Sequence, residues 1–190
     1  EFMPYVERLG LGHQLDRCLL EAIVTDNILA MKKEPVAVNL TRDSVLNSGF
    51  HSWLTQFLSN IADPSLIQFE FSETGVTSYL DEAIALSAII KNGGAQFGID
   101  HYGKQLGSLE YLQRLKPDYV KLDISLSSYQ GEEAQGHLQN LELCRALINI
   151  AHGLEIKVVI TGIEDEQHLQ RVKVLQVEGY QGYISAPAYI

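Results

Sequence analysis

The sequence predicts an α/β fold assembled from parallel βα units. Three observations predict it. Apolar runs of strand length alternate with segments of helical periodicity along all 190 residues. The runs VAVNL (36–40) and KVVITGI (157–163) are continuously apolar, as strands covered on both faces are. A polar residue stands at or near the C-terminal end of five successive runs. With 46% hydrophobic residues the chain can bury one sizeable core, and its length suits a single domain.

The elements follow in order. LDRCLLEAIVTDNILA (15–30) has helical apolar spacing and precedes the strand VAVNL (36–40). FHSWLTQFL (50–58) reads as helix, with Trp53 a packed helix residue. IQFEFS (67–72) is the second strand, rich in aromatic and β-branched residues. SYLDEAIALSAIIKNG (78–93) is a helix closed by Asn-Gly, and AQFGID (95–100) is the third strand. Gly93 and Gly94 form the turn between them and not a phosphate loop, because no helix follows immediately. YVKLD (119–123), the helix LQNLELCRALINIAHG (138–153), KVVITGI (157–163) and YQGYIS (180–185) complete the alternation. EDEQHLQRVKVL (164–175) is a helix opened by Glu164, Asp165 and Glu166, where acids favour the N-terminal end of the dipole.

Charge narrows the function classes. A net charge of -10, with 14 dispersed Lys and Arg, argues against direct nucleic-acid binding, which needs a clustered basic face. Asp16, Arg17, Glu132 and Glu133 read as solvated. Cys18 and Cys144 sit in apolar helical pattern without a CxxC or histidine partner, and both are expected to be buried thiols of a reducing compartment. No run approaches the roughly 18 apolar residues of a membrane span, and nothing resembles a signal peptide. The chain itself is expected to be soluble, with any membrane tether lying outside it.

The strand ends carry the chemistry. Asn39, Glu70, Asp100, Lys121 and Thr161 each fall at or near the C-terminal end of a different strand, and Gln181 sits near the start of the last. In a TIM barrel that rim is where sites are assembled from several strands. Six strands would leave an eight-stranded barrel open, with two unpaired edges. The opening EFMPYVERLGLG reads like the middle of a domain, so Glu1 is not expected to be the native start.

The order of NLTRDS (39–44), FEFSE (69–73), GIDHYG (98–103), GSLEYLQRLKPDYVKLD (107–123), ITGIEDEQHL (160–169) and YQGYISAP (180–187) resembles the EAL domain of bacterial cyclic-di-GMP phosphodiesterases. The resemblance runs from Phe2 to Pro187. It implies a (βα)8 TIM-like barrel with one antiparallel strand, whose first two strands precede residue 1. Residues 1–190 would then be the C-terminal part of a single domain. It also implies site roles. Asn39 and Glu70 match metal-binding positions, Glu73 the glutamate that holds a neighbouring loop, Asp100 the first Asp of the DDFG motif, Lys121 the active-site lysine, and Gln181 the glutamine of the QGY motif. Asp123 and Glu164 are further vestigial active-site positions. Three family carboxylates are missing: the signature Glu lies outside the chain, the second Asp of DDFG is His101, and the first Glu of EGVE is Thr161. The loop that usually reads DFGTGYSS is HYGKQLGS, with Lys104 and Leu106 replacing small or aromatic residues.

Two Mg2+ or Mn2+ ions need several hard oxygen ligands and enough negative charge to lie close together. A histidine offers a softer nitrogen and a threonine no charge, so no two-metal hydrolysis and no catalytic residue are expected. A single Mg2+ or Mn2+ ion on Asn39, Glu70 and Asp100 is one alternative. A charged network of Glu70, Asp100 and Lys121 capping the barrel is the other, with His101 a hydrogen-bonded rim residue.

Within the family, RLGLGHQLDR (8–17), FHSWL (50–54), FEFSETGV (69–76), LKPDYVKL (115–122) and the Thr161-Gly162 pair are similar to the CsrD/MshH type, a membrane-anchored regulator with degenerate GGDEF and EAL domains. That resemblance implies a cytoplasmic domain of an inner-membrane protein that promotes turnover of CsrA-sequestering small RNAs. It also implies docking of the glucose-specific enzyme IIA of the phosphotransferase system. The alternatives are a non-hydrolytic cyclic-di-GMP receptor, using Lys121, Gln181 and Pro187, and a weak phosphodiesterase. Relatives pair through the loop and helix after the DDFG strand, which implies a homodimer.

Overall fold

The computed structural model describes residues 2–26, 28–29, 35–105, 109–122 and 134–182. They form two compact units, Glu1–Gly98 and Ile99–Ile190. The α/β class is as the alternation predicts, with helices between parallel strands in each unit.

The first unit opens with helix α1 (Met3–Arg8), started by Pro4, and helix α2 (Gly12–Thr25). Helix α2 buries Gly12, Asp16, Leu20 and Ile23, one stripe at three- and four-residue spacing. Two expectations fail on this helix. Cys18 is exposed: it lies two residues beyond Asp16, roughly 200° around the helix from the buried stripe. Asp16, expected in solvent, is 3% exposed, and its carboxylate is held by donors from the segment after the first strand.

Strand β1 (Val36–Asn39) pairs in parallel with β2 (Ile67–Ser72), from Val36 opposite Ile67 to Asn39 opposite Glu70. Burial on both faces of β1 is not observed. Val38 is buried, whereas Ala37 and Asn39 are exposed, because the pleat sends alternate residues to opposite faces and one of them is uncovered. Between the strands lie α3 (Arg42–Leu46) and α4 (Ser48–Ser59). Asn47 caps α4, its side-chain oxygen accepting from Phe50 N–H at 2.8 Å. Helix α4 buries Phe50, Leu54 and Leu58. Trp53 packs on its flank, stacked on Phe57 with ring centroids 4.8 Å apart and lying 5.1 Å beneath the Arg17 guanidinium. After β2, Ser72 caps α5 (Glu73–Ser78), and α6 (Leu80–Asn92) buries Ala83, Leu86, Ser87 and Ile90. The chain turns at Gly93-Gly94, where Gly94 takes φ +83°, into strand β3 (Gln96–Tyr102). Phe71 and Phe97 meet edge to face at 5.0 Å in the core of this unit.

The second unit contains the rest of β3, helix α7 (Glu110–Leu115), strand β4 (Tyr119–Leu122), helix α8 (Ala134–Gly153), strand β5 (Lys157–Ile160), helix α9 (Glu166–Val172) and strand β6 (Gly179–Tyr180). Strands β4 and β5 pair in parallel from Tyr119 opposite Lys157 to Leu122 opposite Ile160, and Val159 and Ile160 of β5 pair with Gly179 and Tyr180. All four residues of β4 are buried, as a strand covered on both faces requires. Tyr102, fully buried at the end of β3, donates its hydroxyl hydrogen to the Leu147 carbonyl of α8 at 3.1 Å. Cys144 is buried as expected, and burial pushes its thiol up to about 11, which keeps it protonated and unreactive. Strand β5 ends three residues sooner than expected, just before Gly162 at φ +78°. Residues 183–185 of the expected last strand, Tyr129, Glu132 and Glu133 lie outside the described residues.

Candidate functional site

The sequence places its chemistry at strand ends, and the described strands put it there. In the first unit Asn39 closes β1 directly opposite Glu70 of β2, and Leu40 N–H donates to the Glu70 carbonyl at 2.9 Å. These two residues share one face of the sheet because they are register partners. Asn39 is exposed, while Glu70 and Glu73 are both fully buried. Glu73 is the first residue of α5, where the helix dipole favours a carboxylate.

In the second unit Asp100 and His101 lie near the end of β3. Asp100 Oδ1 accepts the His101 backbone N–H at 2.8 Å, and His101 Nε2 stands 3.6 Å from Asp100 Oδ2. His101 adopts φ +60°, a left-handed backbone that non-glycine residues take up seldom and that histidine tolerates better than most. It presents its ring to solvent, with 47% of the side chain exposed. The next turn is closed by Lys104 N–H donating to the His101 carbonyl at 3.3 Å, and Lys104 is exposed.

Lys121 is buried on β4. One strand over, Thr161 directly follows β5 and donates its hydroxyl hydrogen to the Leu122 carbonyl of β4 at 3.1 Å. Gln181 directly follows β6: its N–H donates to the Ile160 carbonyl at 2.8 Å, and its carbonyl accepts Ile163 N–H at 3.1 Å. Gln181 therefore stands after the described part of the last strand rather than near its start. Gly182 lies so close to the Ile163 peptide that a Cβ there would overlap its oxygen and nitrogen. Glu164 is exposed and precedes α9 rather than opening it; Asp165 is the N-cap, its carboxylate accepting His168 N–H at 2.6 Å, and Glu166 alone of the three acids lies in the first turn. Asp123, Leu106 and Pro187 lie outside the described residues.

Two structural details escape sequence reasoning. One is the buried Asp16. The other is Glu178, whose Oε2 accepts Val158 N–H at 2.7 Å and contacts His152 Nε2 at 3.2 Å, tying the start of β5 to the approach of β6. Partial burial pushes the Glu178 carboxyl up, and the bonds from Val158 and His152 outweigh that and leave it below its ordinary value. Nothing in KVLQVEGY marks that glutamate as a fixed one. Among the described residues, no three His, Cys, Asp or Glu side chains gather as metal ligands.

Comparison with known proteins places the chain in a family. Among curated proteins, the cyclic di-GMP phosphodiesterase NbdA of Pseudomonas aeruginosa is 27% identical over 192 aligned residues, covering 96% of this chain and 24% of NbdA. The chain thus spans about a quarter of the length of NbdA and of two other curated relatives that it matches. Among solved structures, the Vibrio cholerae LapD S helix–GGDEF–EAL protein is 25% identical. Its TM-score is 0.86 in the apo form and 0.85 in the c-di-GMP-bound form, covering 94% of this chain and 43% of that one. The EAL domain of FimX from Pseudomonas aeruginosa, bound to c-di-GMP, shares the fold at 24% identity with a TM-score of 0.85, covering 98% and 74%. The EAL domain family model matches residues 1–188, so the chain belongs to the EAL domain family.

Proposed function

We propose that this chain is a non-hydrolytic EAL module that regulates through binding rather than turnover. The observation that supports it most is the bond from the Thr161 hydroxyl to the Leu122 carbonyl. At the position where the family pattern has a carboxylate, this chain has a neutral donor already committed to the neighbouring strand. His101 removes a second carboxylate. With a neutral hydroxyl and an imidazole in place of two family carboxylates, we read the negative charge around Asn39, Glu70 and Asp100 as too small to offset the repulsion of two dications. The residues present therefore do not fit a two-metal centre, and no hydrolytic step is assigned to them.

The partner we propose is the glucose-specific enzyme IIA of the phosphotransferase system, on the motifs shared with the CsrD/MshH type. In that reading the surrounding protein is anchored in the inner membrane and this domain is cytoplasmic. It affects turnover of CsrA-sequestering small RNAs without contacting RNA itself. Among the described residues no helix is long and apolar enough to cross a membrane. Homodimer pairing through the segment after β3 belongs to the same proposal.

A second reading, a cyclic-di-GMP receptor, is favoured by one finding: LapD, 25% identical, has a c-di-GMP-bound structure. Lys121 and Gln181 are retained for it. One calorimetric series tests both readings, with purified enzyme IIA and with cyclic-di-GMP in the presence of Mg2+, Mn2+ or Ca2+, followed by chromatography for the linear dinucleotide. Binding of either without product is expected. Linear dinucleotide formed by the native chain and lost in Asp100→Ala would overturn the non-hydrolytic reading.

A further inference from the structure

We propose that Asp16 is a positioning residue for Asn39, acting through the β1–α3 segment. Its importance for ligand recognition rests on the receptor reading above; its effect on Asn39 does not.

Asp16 lies on α2, 23 positions before Asn39 in the sequence. Its Oδ2 accepts three hydrogen bonds: from Thr41 N–H at 2.7 Å, from the Thr41 hydroxyl at 2.8 Å and from the Ser44 hydroxyl at 2.7 Å. All three partners are donors, so an acceptor-only carboxylate suits the position. Thr41 is the N-cap residue of α3, but its hydroxyl makes no capping bond and turns back to Asp16 instead.

The attachment is reciprocal. Asp43, in the first turn of α3, accepts Gly12 N–H through Oδ2 at 3.0 Å, which satisfies one orphan donor at the start of α2. Gly12 has to be glycine for the two segments to come this near, because a Cβ would overlap the Thr41 hydroxyl and sit 3.0 Å from Asp43 Oδ2. On the other side of Thr41, Leu40 is buried and its N–H is taken by the Glu70 carbonyl. The chain leaving Asn39 is thus held from β2 and from α2 within two residues.

Asn39 itself is exposed, and no side-chain hydrogen bond fixes its amide among the described residues. The direction in which its Cα–Cβ bond leaves the strand end is set by the local backbone, and Asp16 holds the backbone that follows it. The arrangement is costly in isolation. Burial raises the Asp16 carboxyl above its ordinary value, and the nearby Asp43 adds to this, with only the bonds from Thr41 and Ser44 in opposition. A buried carboxyl group bonded to Thr41 and Ser44, at the start of α3, fits a device for fixing that segment.

The test uses the full chain with isotope labels. In Asp16→Ala, the Thr41 amide is expected to exchange at least about tenfold faster relative to amides of β5, the consequence of losing bonds to a charged acceptor. The Asn39 side-chain amide resonances should shift with it, and because Asn39 matches a metal-binding position, cyclic-di-GMP binding in the presence of Mg2+ should weaken about tenfold or more. Asp16→Asn, whose one amide oxygen can accept some of these bonds without the charge, should restore the Asn39 resonances and the affinity part of the way. Thr41→Val, which deletes the hydroxyl alone, should shift the Asn39 signals part of the way and serves if Asp16→Ala does not fold. Glu178→Gln in the other unit is the control for general loosening and should leave Asn39 unmoved. Unchanged Asn39 resonances in Asp16→Ala, or in Thr41→Val if that variant must stand in, would overturn the assignment. So would equal shifts in Glu178→Gln. If the native chain binds no cyclic-di-GMP, the receptor reading fails, and the Asn39 shifts measured in the free chain still decide the role of Asp16.

Discussion

Replacing Gly182 with alanine should separate two strand ends and shift Gln181. The Gln181 carbonyl and Ile163 N–H are 3.1 Å apart, and the Gly182 backbone rests on the same Ile163 peptide. An added Cβ would lie 2.5 Å from the Ile163 carbonyl carbon, roughly 1 Å inside the ~3.5 Å at which two carbons ordinarily meet. Relieving that overlap by moving the segments apart stretches the Gln181–Ile163 bond to about 4 Å, beyond hydrogen-bond range. The lost bond costs about 1 kcal/mol and the overpacking about 1–3 kcal/mol, so Gly182→Ala should destabilise the chain by roughly 2–4 kcal/mol. Urea unfolding measures it as a lower midpoint at unchanged slope. Gly153→Ala is the matched control: a Cβ there meets nothing within 4 Å, and the residue ends α8, so its effect should be neutral or slightly stabilising. A Gly182→Ala midpoint indistinguishable from that of the native chain would refute the close-approach argument.

Two further outcomes follow from other sites. Glu178 has its carboxyl held below the ordinary glutamate value of 4.5, so its contribution is present above that pH and is lost as pH falls through the lowered folded value. Melting curves recorded from pH 7 to about pH 3 should therefore show native and Glu178→Gln chains converging at the acid end, and a constant gap would contradict the assignment. Phe97 is fully buried and edge to face with Phe71, so Phe97→Ala should cost about 3–5 kcal/mol in urea unfolding, a loss that Phe97→Leu should largely recover.

What could be read from the sequence was what local pattern dictates. IQFEFS is a strand over the same six residues because its aromatic and β-branched content and its flanking turn agree with its tertiary place. Gly93-Gly94 ends a helix because positive φ at Gly94 is cheap for glycine alone. The polar strand ends were visible as an order of motifs, and family membership follows that order. What stayed hidden depends on distant partners. LDRC reads as solvated charge next to a buried thiol, yet Asp16 is buried and Cys18 exposed, because the donors that make burial tolerable lie 25 and 28 residues further on. The Thr161 hydroxyl reaches a carbonyl 39 residues earlier. The continuous apolarity of VAVNL suggested cover on both faces, and only the pairing of β1 with β2 reveals which alternate residues stay open.

The chain's one tryptophan is Trp53, packed against Phe57 and Arg17 in the first unit, while the shielded thiol of Cys144 belongs to the second. Selectively excited tryptophan fluorescence consequently samples one half of the molecule and thiol labelling of Cys144 the other, with exposed Cys18 supplying an immediate baseline. Followed side by side through a denaturation, the two natural reporters distinguish a chain that melts in a single cooperative event from one that comes apart in stages.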